Sequence, residues 1–356
     1  MPTTLTTRER VTRMFEHRDA DRVPIILSPW QAVIARWHRE GMPEGMEYWK
    51  YFDLDYAVRI SVDHSPRFPA EVVEETEEHT ITTTSWGATM RQLKGRDTTP
   101  EFLDFRIKTP DDWARAKERI TPDPNRINWN QLKQDYPVWR EGGAWIQGIG
   151  FFGFDATQAW IVGTERLLMA LVTDPEWCFD MFEHIQDVNL KLLDLIWDEG
   201  YEFDSLFWWD DMGYKQNQFF SLSMYRDLMK PIHKRTVEWA HAKGIKAHLH
   251  SCGDIRPFVP ELVDMGLDAL NPLEVKAGMD PIALKEQYGD RLVLHGGLNA
   301  VLWGDQEAVE ADIKEKLPML MEAGGYIFSP DHSVHSDVSL DGFRRITDLA
   351  KQLGSY

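Results

Sequence analysis

The chain has 356 residues, with 58 acidic against 39 basic side chains and a formal net charge of −19. That field opposes nucleic acid and strongly anionic ligands and suits neutral or cationic partners. A hydrophobic fraction of 43%, with 15 Trp and 17 Phe, supplies a large core and excludes a disordered chain.

No run approaches the roughly 20 apolar residues of a membrane span. The start Met1-Pro2-Thr3-Thr4-Leu5 lacks the apolar core of a signal peptide, so no membrane partner and a cytoplasmic location are expected. The two cysteines, Cys178 and Cys252, do not make a disulfide framework.

In chain order, Thr6 and Glu9 form a capping box at the start of a helix that runs to about Glu16. Short apolar runs then alternate with longer amphipathic ones. Strands are expected at Val23 to Leu27, Tyr56 to Val62, Ala144 to Ile149, Ser205 to Trp209, Lys246 to His250, Ala269 to Pro272, Arg291 to His295 and Tyr326 to Ser329. Helices are expected at Thr164 to Trp197, Met224 to Lys243, Ile255 to Met265, Ile282 to Tyr288 and Ala308 to Ala323. This alternation predicts an α/β fold, a (β/α)8 TIM barrel in one domain spanning 1–356. Residues 71–106, rich in β-branched side chains and split at Trp86-Gly87, predict a β-hairpin inserted after the second strand.

The run His248-Leu249-His250-Ser251-Cys252-Gly253-Asp254 places soft-metal ligands two residues apart along a strand, where side chains of one parity share a face. Zinc accepts imidazole and thiolate together, and a catalytic site needs three protein ligands. A buried histidine beside an inert core thiol is the alternative. His248 lies one step deeper than His250 and Cys252 and suits a packed or supporting role.

In a barrel, residues after the strand ends build the active site. Those ends carry Asp63, His64, Gln147, Asp210, Asp211, Asn271, Glu274, His295, Asn299, Asp331 and His332. This concentration favours an enzyme over a binding module. His332, after the eighth strand, is the candidate third ligand beside His250 and Cys252; Glu274 and His295 could add a ligand or a supporting hydrogen bond. Asp211 and Glu274 are candidate catalytic groups, and Gln147, Asn271 and His295 candidate substrate contacts. Trp208 and Trp209 must face opposite ways, so one of them lines the interior; Trp208 is taken as the substrate-facing ring in an aromatic-walled pocket.

Several segments together resemble the uroporphyrinogen decarboxylase superfamily. They are Thr164-Glu165-Arg166-Leu167-Leu168 with Asp174-Pro175-Glu176, His250-Ser251-Cys252-Gly253-Asp254, Asn271-Pro272-Leu273-Glu274-Val275, His295-Gly296-Gly297-Leu298 and Gly324-Gly325-Tyr326-Ile327-Phe328-Ser329-Pro330-Asp331-His332. The resemblance implies the same barrel. It covers most of the chain beyond residue 160, and more loosely Asp21-Arg22-Val23-Pro24. The arginine-bearing loop of true decarboxylases is replaced by Ser28-Pro29-Trp30-Gln31-Ala32-Val33, which with the acidic charge disfavours a polyanionic porphyrinogen.

The chain is closer to the corrinoid-dependent methyltransferase branch, similar to the methylcobamide:coenzyme M methyltransferases, whose zinc is held by a His-x-Cys pair and a later Cys. Here His250 and Cys252 are kept, and Ser329-Pro330-Asp331-His332 stands where that later Cys falls. Replacing a thiolate by a neutral imidazole makes zinc more Lewis acidic and favours activating an ether oxygen. The resemblance thus implies Zn2+, a corrinoid (cobalamin) carried by a partner corrinoid protein, and O-demethylation of a methoxylated aromatic methyl donor to cob(I)alamin. The rivals are transfer from a methylcorrinoid to a thiol, a metal-free decarboxylase, and a non-catalytic small-molecule binding protein. A homo-oligomer is compatible with an acidic, aromatic-rich barrel.

Overall fold

The computed structural model describes residues 4–94 and 99–356. Its strands are β1 (Ala57–Ile60), β2 (Val72–Glu75), β3 (His79–Thr83), β4 (Ala88–Leu93), β5 (Glu101–Phe105), β6 (Trp145–Phe151), β7 (Ser205–Trp209), β8 (Gly213–Tyr214), β9 (Asn217–Gln218), β10 (Lys246–His250), β11 (Ala269–Asn271), β12 (Val293–His295) and β13 (Tyr326–Ile327). Seven of them form one parallel sheet in the order β1-β6-β7-β10-β11-β12-β13. Helical crossovers join most of them, as parallel pairing requires.

The run Val23 to Leu27, expected as a full strand, makes only an isolated parallel bridge from Ile25 to Phe328. Pro24 has no N–H to give a ladder, but its carbonyl accepts from Phe328 N at 2.8 Å. Both backbone groups of Ile25 turn to Asp55: its N–H donates to Asp55 Oδ2 at 2.8 Å, and its carbonyl accepts from Asp55 N at 3.3 Å. This segment therefore lies between the last strand of the sheet and the chain entering the first.

Alternation along the strands separates two cores. Outward residues such as Ile146, Leu206, Trp208, Leu249, Leu270 and Leu294 join the large cluster under the helices. Inward residues Trp145, Ala269, Val293 and Ile327 pack with Val11, Met14 and Phe15 of the helix Thr7–Phe15, which plugs the N-terminal end of the sheet. The capping box starts this helix as expected: Thr6 Oγ1 accepts from Glu9 N at 3.2 Å, and Thr6 N donates to Glu9 Oε2 at 2.8 Å. Arg10 on the same helix is 3% exposed and bonds Asp21 at 2.7 Å and Asp55, tying the helix to the Ile25 segment.

Two expectations are corrected. The helix from Thr164 to Trp197 is two, Thr164–Thr173 and Pro175–Asp198, because Pro175 cannot donate within a continuous helix and Asp174 caps the second by accepting from Trp177 N at 3.2 Å. The insertion is more than one hairpin: β2 to β5 form a four-stranded antiparallel sheet. Trp86 docks it edge-on against His64 and Phe151, with ring centroids 5.1 and 5.9 Å away.

Candidate metal centre and cavity

β10 sends Ala247 and Leu249 outward, both fully buried in the helix-facing core, and His248 and His250 inward. Beyond the strand the chain turns at Gly253, with φ +79; a Cβ there would lie 2.1 Å from the backbone of Gly213. Glycine thus lets the loop after β7 cross tightly over Cys252. The crossing delivers Asp211, whose Oδ1 accepts from Cys252 N at 2.7 Å.

Three ligand atoms meet there. Asp211, His250 and Cys252 each offer one within 4.8 Å of the others. His250 Nε2 is 3.3 Å from Cys252 Sγ and 3.7 Å from Asp211 Oδ1. Asn271 Nδ2 donates to the His295 carbonyl at 3.0 Å, which turns its Oδ1 toward His250 Nδ1. Nδ1 must therefore carry the imidazole proton, leaving the Nε2 lone pair free for a cation. Burial, then the charges of Asp211 and Glu274, push the Cys252 thiol well above its ordinary range. The thiol holds its proton until a cation replaces it.

The residues fit a divalent, borderline-soft metal, since nitrogen, sulfur and carboxylate oxygen converge without a competing lysine or arginine among them. They line a cavity of about 300 Å³ together with Arg59, Gln147, Phe207, Trp209, Asn271, His295 and His332. A larger cavity of about 720 Å³ lies beside the plugging helix, lined by Arg8, Phe15, Trp145 and Lys246, at the N-terminal end of the parallel sheet.

Of the residues singled out from sequence, His250 and Cys252 sit together, and Asp211, expected as a catalytic group, joins them as a potential ligand. His332, expected as the third ligand, lies outside that tight group but lines the same cavity. Its Nδ1 is buried without a hydrogen-bond partner, and burial followed by Lys276 and His335 lowers its pKa, which favours the neutral ring. Gln147, Asn271 and His295 line the cavity. Glu274 does not: its Oε2 accepts from Gly253 N at 2.7 Å and holds the ligand-bearing turn.

Trp208 must be corrected. It is 0% exposed and packs in the helix-facing core against His233; Trp209 is the cavity-lining ring. The opposite faces were evident from the strand, but the choice between them needed the register.

His295 Nε2 donates to the Ile26 carbonyl at 2.9 Å, while Nδ1 faces His248 Nε2 at 3.4 Å. Burial, with Arg59 and His250 nearby, pushes the His295 pKa down to about 4, so it stays a neutral wall of the site. Asp155 was missed from sequence because it lies in the short helix Phe154–Ala156, away from any ligand-like spacing. Its N donates to Asp210 Oδ1 at 2.8 Å, and burial with the Asp211 and Asp210 charges raises its carboxyl well above the ordinary range. Arg59 was missed because an arginine inside a short strand carries no motif.

Comparisons with known proteins agree with this architecture. A methyltransferase from Methanosarcina mazei superposes with a TM-score of 0.68 at 14% identity, covering 98% of this chain and 99% of that one. A xylose isomerase-like TIM barrel protein from Mycobacterium smegmatis gives a TM-score of 0.34 at 12% identity over 70% of this chain and 90% of that one, too slight a likeness to bear on the fold. No curated protein matches the sequence. No helix among the described residues is long and apolar enough to cross a membrane. The profile of the uroporphyrinogen decarboxylase (URO-D) family matches residues 149–353, more than half of the sequence, and the chain belongs to that family.

Proposed function

We propose that the protein is a zinc-dependent, corrinoid-linked methyltransferase that removes the methyl group of a methoxylated aromatic compound and passes it to cob(I)alamin on a partner corrinoid protein. The observation that carries this reading is the convergence of Asp211, His250 and Cys252 at the wall of a small, aromatic-sided cavity. Family membership and a fold shared with a methyltransferase support it. The segment at Ile25 is taken as the eighth position of the barrel, between β13 and β1.

Zinc bound at the donor set would supply Lewis acidity toward an ether oxygen. His250 presents Nε2 because Asn271 holds its Nδ1 proton. Cys252 presents Sγ once its proton has left, Asp211 presents a carboxylate oxygen, and His332 lines the same cavity. Phe207 and Trp209 form an apolar wall against which an aryl ring can lie, keeping water from it. In the transfer the methyl C–O bond breaks and its electron pair stays on oxygen. The Co(I) electron pair forms the new bond to carbon, and the aryloxide takes a proton from solvent through the cavity mouth. About 300 Å³ suits a single-ring ligand, at the small end of ligand pockets.

A panel of methoxyaromatics, methylamines and methanol, each offered with free cob(I)alamin as acceptor, tests the donor class. Methylcobalamin formed from the methoxyaromatics alone is expected. Transfer only from methylamines or methanol, or carbon dioxide release from acids without corrinoid, would overturn the reading.

A further inference from the structure

Arg59 lies on β1 with its side chain open to the cavity, paired in register with Gln147 of β6. Its guanidinium stands 5.3 Å from the Phe207 ring centroid and 5.1 Å from that of Trp209. Other arginines turned toward the interior have hydrogen-bond or ion-pair partners. Arg10 bonds Asp21 and Asp55, Arg140 bonds Asp204, and Arg126 donates to the carbonyls of Asp63, Ser65 and Arg119. Arg59 has no hydrogen-bond or ion-pair partner among the described residues, in a chain with 58 acidic side chains against 39 basic ones. It is also the one arginine or lysine among the described residues lining this cavity, whose one carboxylate, Asp211, belongs to the donor set.

A guanidinium remains charged even where burial lowers its pKa, as it does here. Cation–π attraction to the two rings spends none of its N–H donors, so the fork is left unspent. That fork matches a carboxylate in two parallel hydrogen bonds. We propose that Arg59 binds a carboxylate on the methyl donor, so that the substrate is a methoxylated aromatic acid held between the guanidinium at one end and the metal-ligand group at the other. The proposal rests on the methyl-transfer reading for the ether and on Arg59 alone for the acid. It runs against what net charge suggests, but exposed charges beyond a Debye length of about 8–10 Å are largely screened, whereas the guanidinium acts in contact.

Calorimetric titration of the full chain without corrinoid, metal-free and zinc-loaded, with the 2-, 3- and 4-methoxybenzoates and the matching methoxybenzamides, tests this. Wild type should prefer at least one benzoate over its amide by about tenfold or more, from a charge-assisted pair. Arg59→Gln should erase that preference while amide binding, a control for folding, persists; Arg59→Lys should keep part of it. No binding of any benzoate at millimolar concentration, equal binding of acid and amide, or a preference that survives Arg59→Gln and depends only on zinc would overturn it. Because corrinoid is absent, a failure of methyl transfer leaves this result standing.

Discussion

His250 donates its Nδ1–H to Asn271 Oδ1, and Asn271 in turn donates to the His295 carbonyl at 3.0 Å. These three residues come from three adjacent strands, so the sheet sets the direction in which His250 Nε2 points. Nε2 then lies 3.3 Å from Cys252 Sγ, two residues further along the same chain.

Asn271→Leu keeps the volume and removes the acceptor. Zinc affinity should fall about 10- to 100-fold, the usual effect of losing a hydrogen bond behind a ligating histidine. Competition against a chromogenic chelator measures it, and unchanged affinity would show that Asn271 does not orient the ligand.

Trp208 and Trp209 are neighbours with opposite duties. Trp208→Ala should destabilise the protein by about 3–5 kcal/mol, because a large core ring is lost and a cavity is left. Trp209→Ala should cost much less stability and weaken binding of aromatic ligands about tenfold, as one aromatic contact is lost. Urea unfolding and ligand titration of both variants separate the two effects.

Acid sensitivity should come partly from Asp21. Burial would raise its pKa, but hydrogen bonds from Arg10 and the Leu5 and Arg22 amides outweigh it and hold the pKa down at about 2, against an ordinary 3.8. The folded state therefore binds this proton less readily than the unfolded one. The stabilisation is present above pH 3.8 and is lost as pH falls through 2. Asp21→Asn should lower stability at neutral pH and make the stability–pH curve shallower over that acid window. A curve as steep as wild type's would show that the Arg10 pairing is not what sets it.

Much of the scaffold was legible in the sequence because its signals are local. The Thr6 and Glu9 cap, the alternation through His248 and His250, and the apolar runs of seven paired strands all arise within a few residues. The Val23 to Leu27 run looked like a full strand, yet its backbone partners, Asp55 and Phe328, are both distant in sequence. Of the site, His250 and Cys252 stood out by spacing. Asp211 reaches them only because Gly253 and Gly213 let two loops cross, and Arg59 matters through what it lacks, a partner. Neither fact is written in any short stretch of chain.

The most direct test is methyl transfer from a methoxyaromatic to cob(I)alamin by protein stripped of metal and then reloaded with zinc, beside the Cys252→Ala and Asp211→Asn variants. Activity that vanishes on stripping, returns with about one zinc per chain, as a single mononuclear site requires, and is abolished in Cys252→Ala is the expected result. Equal turnover by stripped, reloaded and Cys252→Ala protein would contradict a zinc-dependent methyltransferase built on Asp211, His250 and Cys252.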